Sequence, residues 1–355
     1  MNAHTRYDVT RDELAELFAA WGEPGYRTGQ VWDALYTRRA PLEDATNLPK
    51  ALRARLAEAL PLALESRTEL RAPDGTTKWL WAAGHDAAQV ETVLMRSPTR
   101  ATVCVSSQAG CAMGCTFCAT GQAGFERHLT TGEILEQVVR AAWACEQRVG
   151  NVVYMGMGEP LANYDAVWAS VERLHDDLGI SARHITVSTV GVVPAMRRLA
   201  RERLPVTLAV SLHAPDDELR ERLVPLNRRY PIAEVLDAAA EVAAARGRRV
   251  TFEYACIAGV NDDPAQAAAL ARLLDAFPGV GGAHVNLIPL NPTAGFGGHA
   301  PDPGRLRLFA ETLRARGANA TVRRNRGTGI DAACGQLRAR VPITETPRTS
   351  ATMVP

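Results

Sequence analysis

The opening stretch of the chain carries apolar positions at helical spacing. Thr10 and Glu13 make a capping-box pattern ahead of "LAELFAAW", and "TGQVWDALYTRR" and "LPKALRARLAEAL" continue the period. The period then falls to two. "ESRTELRAPDGTTKWLWAAG" sets Asp74-Gly75 between two alternating runs, which predicts a β-hairpin, and "AQVETVLMR" follows as a strand on the sheet edge. Beyond it short apolar runs recur: "TVCVSS", "NVVYMGM", "HITVSTV", "VTLAVSLH", "VTFEYACI" and "HVNLIPL". Helical patterns such as "TTGEILEQVVRAAWACEQ" and "PIAEVLDAAAEVAAARG" lie between them. Buried strands alternating with crossover helices predict a parallel sheet, and six such units make a partial barrel. The chain is read as α/β: a small N-terminal helical and β-hairpin domain at 1–86, a partial (β/α)6 barrel at 87–341, and a flexible tail at 342–355.

Polar residues cluster at the C-terminal ends of these strands. A cysteine loop follows the first and "GMGEP" the second; Ser188 ends the third, Ser211 and His213 the fourth, and Asn291 the sixth. In α/β barrels that rim binds ligands. Packing demands alone do not sort polar residues in this way.

Apolar residues are 46% of the 355 and charged residues 22%, the balance of a soluble globular protein. No apolar run reaches the roughly 18 residues of a membrane span, and the start is polar, so a cytoplasmic protein without membrane contact is expected. The net charge of +1 conceals an asymmetry, because nearly every basic residue is arginine, with Lys50 and Lys78 the exceptions. Arginines group at 38–39, 197–203, 228–229, 246–249 and 323–326. Such groups are either solvated helix faces or a grip on a polyanion.

Three of the seven cysteines fall in "CAMGCTFCAT", as Cys-x3-Cys-x2-Cys at Cys111, Cys115 and Cys118. Structural zinc takes four ligands, usually as two separated pairs, and no fourth lies nearby in the sequence. Three thiolates on a four-iron cluster leave one iron open for a ligand. This spacing, with Phe117 before the third cysteine, resembles the radical S-adenosylmethionine (SAM) superfamily. The resemblance implies a [4Fe–4S] cluster on Cys111, Cys115 and Cys118, and a SAM site made by Gly158, Glu159, Ser188, Ser211, Leu212, His213 and Asn291.

More of the chain resembles one branch of that superfamily. "CVSSQAGCAMGCTFCATGQAGFERHLT", "NVVYMGMGEPLANYD", "ITVSTVGVVPAM", "LAVSLHAPDDELRERLVPLN", "HVNLIPLNPTAG" and "DAACGQL" are similar to the enzymes that methylate an adenine ring carbon in large-subunit ribosomal RNA, at carbon 2 (RlmN type) or carbon 8 (Cfr type). The resemblance implies that Cys334 carries the methyl, that Cys104 attacks its sulfur and forms a disulfide with it, and that Glu91 is the general base. It also implies 23S rRNA as substrate, tRNA as a further candidate, flavodoxin or ferredoxin as electron donor, and a monomer. Pro160 fits the carbon-2 type, whereas Leu290 stands where relatives often have tryptophan. A carbon-8 enzyme and a radical enzyme acting on something other than RNA are the alternatives. Cys145 and Cys256, at helix and strand spacing, are assigned to packing.

Overall fold

The computed structural model describes residues 5–275, 277 and 282–338. The tail at 342–355 and the last residues of the barrel domain lie outside these.

The chain opens with α1 (Arg11–Trp21), α2 (Tyr26–Trp32) and α3 (Lys50–Ala59). Both halves of the Thr10/Glu13 capping box form, and Leu14 and Phe18 turn inward. The segments just before α1 and just after α3 grip the rest of the molecule through polar contacts. Gly132 N–H donates to Asp8, Arg173 donates to the carbonyls of Tyr7 and Val9, and the N–H groups of Ala63 and Leu64 donate to the buried Glu136 carboxylate.

The strands follow: β1 (Leu64–Arg71), β2 (Thr76–Ala83), β3 (Gln89–Ser97) and β4 (Arg100–Cys104). A small antiparallel pair, β5 (Gln108–Gly110) and β6 (Phe125–His128), brackets the cysteine loop and α4 (Ala119–Ala123). The alternation then runs α5 (Thr131–Trp143), β7 (Val149–Tyr154), α6 (Tyr164–Asp176), β8 (Ile185–Thr189), α7 (Val193–Leu199) and β9 (Thr207–Ser211). It continues through α8 (Asp217–Leu223), α9 (Ile232–Arg246), β10 (Thr251–Cys256), α10 (Pro264–Asp275), β11 (His284–Pro289), α11 (Pro303–Ala315) and β12 (Asn319–Val322).

Ten of these strands form one sheet in the order β1-β2-β3-β4-β7-β8-β9-β10-β11-β12. Pairing is parallel from β4 to β12, the sheet of a partial barrel wrapped by its crossover helices, and antiparallel from β1 to β4. The hairpin pairs through β3 onto the first barrel strand, so the sheet runs unbroken across residue 86. β3 is therefore an inner strand, not the edge strand expected from the sequence. No helix of the described residues is long and apolar enough to cross a membrane.

Candidate active site

The C-terminal strand ends converge as the sequence suggested. Beyond β4 the chain turns under backbone and side-chain bonds: Ser107 N–H donates to the Met157 carbonyl, Ser106 Oγ to the Glu91 carbonyl, and Met157 N–H to Ser106 Oγ. These bonds fix the cysteine loop against "GMGEP". Gly158, at φ 96°, lies so close to Gln108 that an added Cβ would stand 2.5 Å from the Gln108 Cβ. Gln108 Oε1 then accepts from Glu159 N–H.

The cysteine loop is held from several sides. Cys111 N–H donates to the Gly124 carbonyl, Thr116 N–H to Leu223, and Ala119 N–H to Gly335. Phe117 is buried and meets the His213 ring edge-on, with centroids 4.8 Å apart. Burial pushes the Cys111 thiol up to about 12, and burial followed by the charges of Cys118 and Cys111 lifts Cys115 well above its ordinary value. The raised thiols of Cys111 and Cys115 suit a cationic cluster, which stabilises thiolates. Among the described residues no three His, Cys, Asp or Glu converge as ligands of one metal ion do; a cluster spreads its thiolates over separate irons.

Cys115, Cys118, Gly158, Glu159, Ser188, Ser211, His213, Asn291 and Cys334 line one cavity. Glu159 is buried there, and burial raises its carboxyl to about 7, against the N–H groups of Val190 and Leu161, which it accepts at 2.9 and 3.0 Å. His213 stays neutral: burial, then the charge of Arg220, lowers it to about 3, and its Nδ1 accepts from Ala255 N–H. Asn291 donates through Nδ2 to the Cys334 carbonyl, leaving its buried Oδ1 without a partner among the described residues. Two residues named from the sequence stand apart. Leu212 is packed in the core and does not line the cavity, while Cys111 lies half-buried at the start of its loop.

A second cavity adjoins the first and shares Met155, Ile288, Arg323 and Cys334 with it. Cys104 faces this one, together with Arg100, Arg324 and Arg326, and among the described residues no carboxylate lines it. Burial, then Cys334, holds the Cys104 thiol above its ordinary range; burial also raises Cys334, and Arg323 opposes the rise. All seven cysteines are free. The disulfide expected between Cys104 and Cys334 is therefore absent from this structure, where both residues face the cavity as free cysteines.

Glu91 lines neither cavity. It is fully buried on β3 and forms a 2.8 Å ion pair with Lys78. Sequence reasoning passed over several residues that shape the site. Arg220, fully buried, donates to the carbonyls of Val190, Leu212 and Ser211 and so ties two strand ends together. Glu253 lines the first cavity, with Oε1 on Asn286 and a buried Oε2 that has no partner among the described residues. A lone acid inside the apolar run "VTFEYACI" was the available signal for it.

The family model of the radical SAM superfamily matches residues 105–271, and that of the ribosomal RNA large subunit methyltransferase N-terminal domain matches 7–61. The chain is 54% identical to the probable dual-specificity RNA methyltransferase RlmN of Parafrankia sp. (strain EAN1pec), covering 95% of this chain and 92% of that one. It is 48% identical to the protein of the same name from Chloroflexus aurantiacus, over 97% and 95% of the two chains. A crystal structure of a radical SAM methyltransferase from Sphaerobacter thermophilus superposes with a TM-score of 0.90 at 50% identity, over 95% of this chain and all of that one. The superfamily works with a [4Fe–4S] cluster and SAM, and the thiol-lined cavity fits both. The chain belongs to the RlmN family of radical SAM RNA methyltransferases.

Proposed function

We propose that this enzyme methylates carbon 2 of an adenine in 23S rRNA, and of an adenine in tRNA, through a methyl carried on Cys334. The observation that carries this reading is that Cys334 faces two joined cavities, one with the cysteine loop and "GMGEP", the other with Cys104. Cys111, Cys115 and Cys118 would hold the cluster. Gly158, Glu159, Ser188, Ser211, His213 and Asn291, with the backbone of Leu212, would hold SAM. Together the two cofactors supply the methyl group, the radical that removes a hydrogen atom from it, and the acceptor for the electron the adduct gives up.

The protein's own residues do the rest. The Cys334 thiolate accepts the methyl, and its one-carbon unit bonds to the ring. Glu91 takes the ring proton, whose bond pair stays to restore the aromatic ring. The Cys104 thiolate then attacks Cys334 Sγ. The S–S bond forms, the S–C bond breaks, and its electron pair passes to the carbon, which takes a proton and leaves as the product methyl. The disulfide returns to two thiols at the expense of two electrons from a cellular thiol reductant. A flavodoxin or ferredoxin supplies the electron for the cluster, in the cytoplasm.

The arginines of the second cavity support an RNA substrate, since its target base must leave the stack to reach Cys334 while flanking phosphates need cations. Nucleoside mass spectrometry of rRNA and tRNA from a strain lacking the gene tests the reading. Loss of 2-methyladenosine that the restored gene returns is expected. Loss of an 8-methyl product would move the enzyme to carbon 8, and unchanged nucleosides would exclude RNA as substrate.

A further inference from the structure

One ion pair holds both ends of the segment that carries Cys334. Lys78 on β2 and Glu91 on β3 sit diagonally across the two strands, where Leu80 pairs with Glu91 and Lys78 with Val93. Their charged groups meet at 2.8 Å, with the side chains 4% and 1% exposed. Lys78 Nζ also donates to the Asp331 carbonyl at 3.0 Å, and Glu91 Oε2 accepts from Arg338 N–H at 2.8 Å. Asp331 and Arg338 flank "AACGQL", so the pair grips the segment on either side of Cys334. Other bonds frame it from the rim: Thr120 Oγ1 on the Leu337 carbonyl, Ala119 N–H on Gly335, and Asn291 on Cys334 itself.

A surface pair contributes little, but a buried charge needs a partner, and a buried pair is used to fix one arrangement against others. The residue chosen is telling. Lys78 is one of two lysines in a chain of 40 lysines and arginines. Arginine is the default cation here, and at this point the chain departs from it. A compact ammonium on a flexible stem, with three rotatable donors, reaches the carboxylate and the carbonyl here in less volume than a planar guanidinium takes.

Glu91 shares a face of β3 with Val93, which lines the Cys104 cavity. The base and its cavity are thus neighbours along one strand, with the Cys334 segment lying over them. We propose that Lys78 is a positioning residue of the methyl transfer: it fixes the Glu91 carboxylate and the Cys334 segment in one register, so that base and carbon carrier are aligned together. This rests on the reading of Glu91 as the base. Lys78 takes no proton from the ring; it orients the group that does.

The test uses Lys78→Met, which keeps the length and apolar stem and removes the charge, beside Glu91→Gln and the parent, each isolated anaerobically with its cluster and incubated with SAM and rRNA. Mass spectrometry reads methyl on Cys334, gel shift under denaturing conditions reads the covalent protein–RNA adduct, and deuterium at the target ring carbon reads proton removal. Lys78→Met is expected to keep at least half of the parental Cys334 methylation and to accumulate adduct at least tenfold, with deuterium retained in it. A Lys78→Met enzyme that clears adduct like the parent while Glu91→Gln stalls overturns the positioning role alone. Loss of Cys334 methylation in Lys78→Met also overturns it, leaving only a scaffold role. If Glu91→Gln itself clears adduct normally, the base assignment falls, and this inference falls with it.

Discussion

Cys104 and Cys334 face one cavity, the first from the end of β4 and the second from the segment that follows β12. Strand pairing places Cys104 directly opposite Val93 on β3, beside the strand that carries Glu91. Cys104 and Cys334, far apart in the sequence, thus line the space next to the cysteine loop, with Glu91 buried on the neighbouring strand. Their grouping depends on one sheet that joins the hairpin, the barrel and the closing segment.

Cluster loading depends on the three loop cysteines. Alanine at Cys111, Cys115 or Cys118 is expected to remove most of the iron and the visible absorbance of anaerobically reconstituted protein. Cys145→Ala, in the loop after α5 and partly buried against the core, is expected to retain both. Full iron in the triple variant would contradict the assignment.

Gly158 tolerates no side chain. Its φ is 96°, and an added Cβ would lie 2.5 Å from the Gln108 Cβ and 2.8 Å from the Gln108 backbone nitrogen. Gly158→Ala is expected to cost about 2–4 kcal/mol in denaturant unfolding, through strain and overpacking. Gly150→Ala meets nothing within 4 Å and is the control, expected within about 0.5 kcal/mol of the parent.

What the sequence showed and what it hid divide along physical lines. The strand ends were legible because each apolar run stops at a polar residue, and parallel strands in a barrel must point those ends to one rim. Cys334 entered through its motif. The Lys78–Glu91 pair was not legible, because it depends on the register of β2 against β3, and a single acid in "QVETVLM" reads as solvated until β4 is known to flank it. Arg220 looked like one more helical arginine; only the packed fold shows it buried against three carbonyls. β12, four residues long, is too short to register as a periodic run.

His213 makes stability depend on acidity. Its folded-state value is lowered to about 3 from 6.5, so the unfolded chain binds the extra proton between those values. The His213 contribution is fully present above pH 6.5 and is lost as pH falls toward 3, by about 1.4 kcal/mol per unit at its steepest. His213→Gln, which keeps an acceptor for Ala255 N–H, is expected to flatten this part of the profile relative to the parent. Parallel stability profiles of the two proteins between these limits would contradict the assignment.

RNA affinity should track the arginines of the second cavity. Arg100→Gln and Arg324→Gln are each expected to weaken rRNA-fragment binding and to lower the slope of log affinity against log salt by about 1. Arg197→Gln, whose side chain pairs with Glu241 on the helical surface, is the control and is expected to leave the slope unchanged.

The most direct measurement compares Cys104→Ala with Cys334→Ala after one round of reaction with SAM and rRNA, with the protein digested and the RNA separated under denaturing conditions. Cys104→Ala is expected to hold RNA covalently through a methylene on the Cys334 peptide, and Cys334→Ala to hold none and to form no methylated adenine. Methylated adenine released at the parental rate by Cys334→Ala would contradict a methyl carried on Cys334.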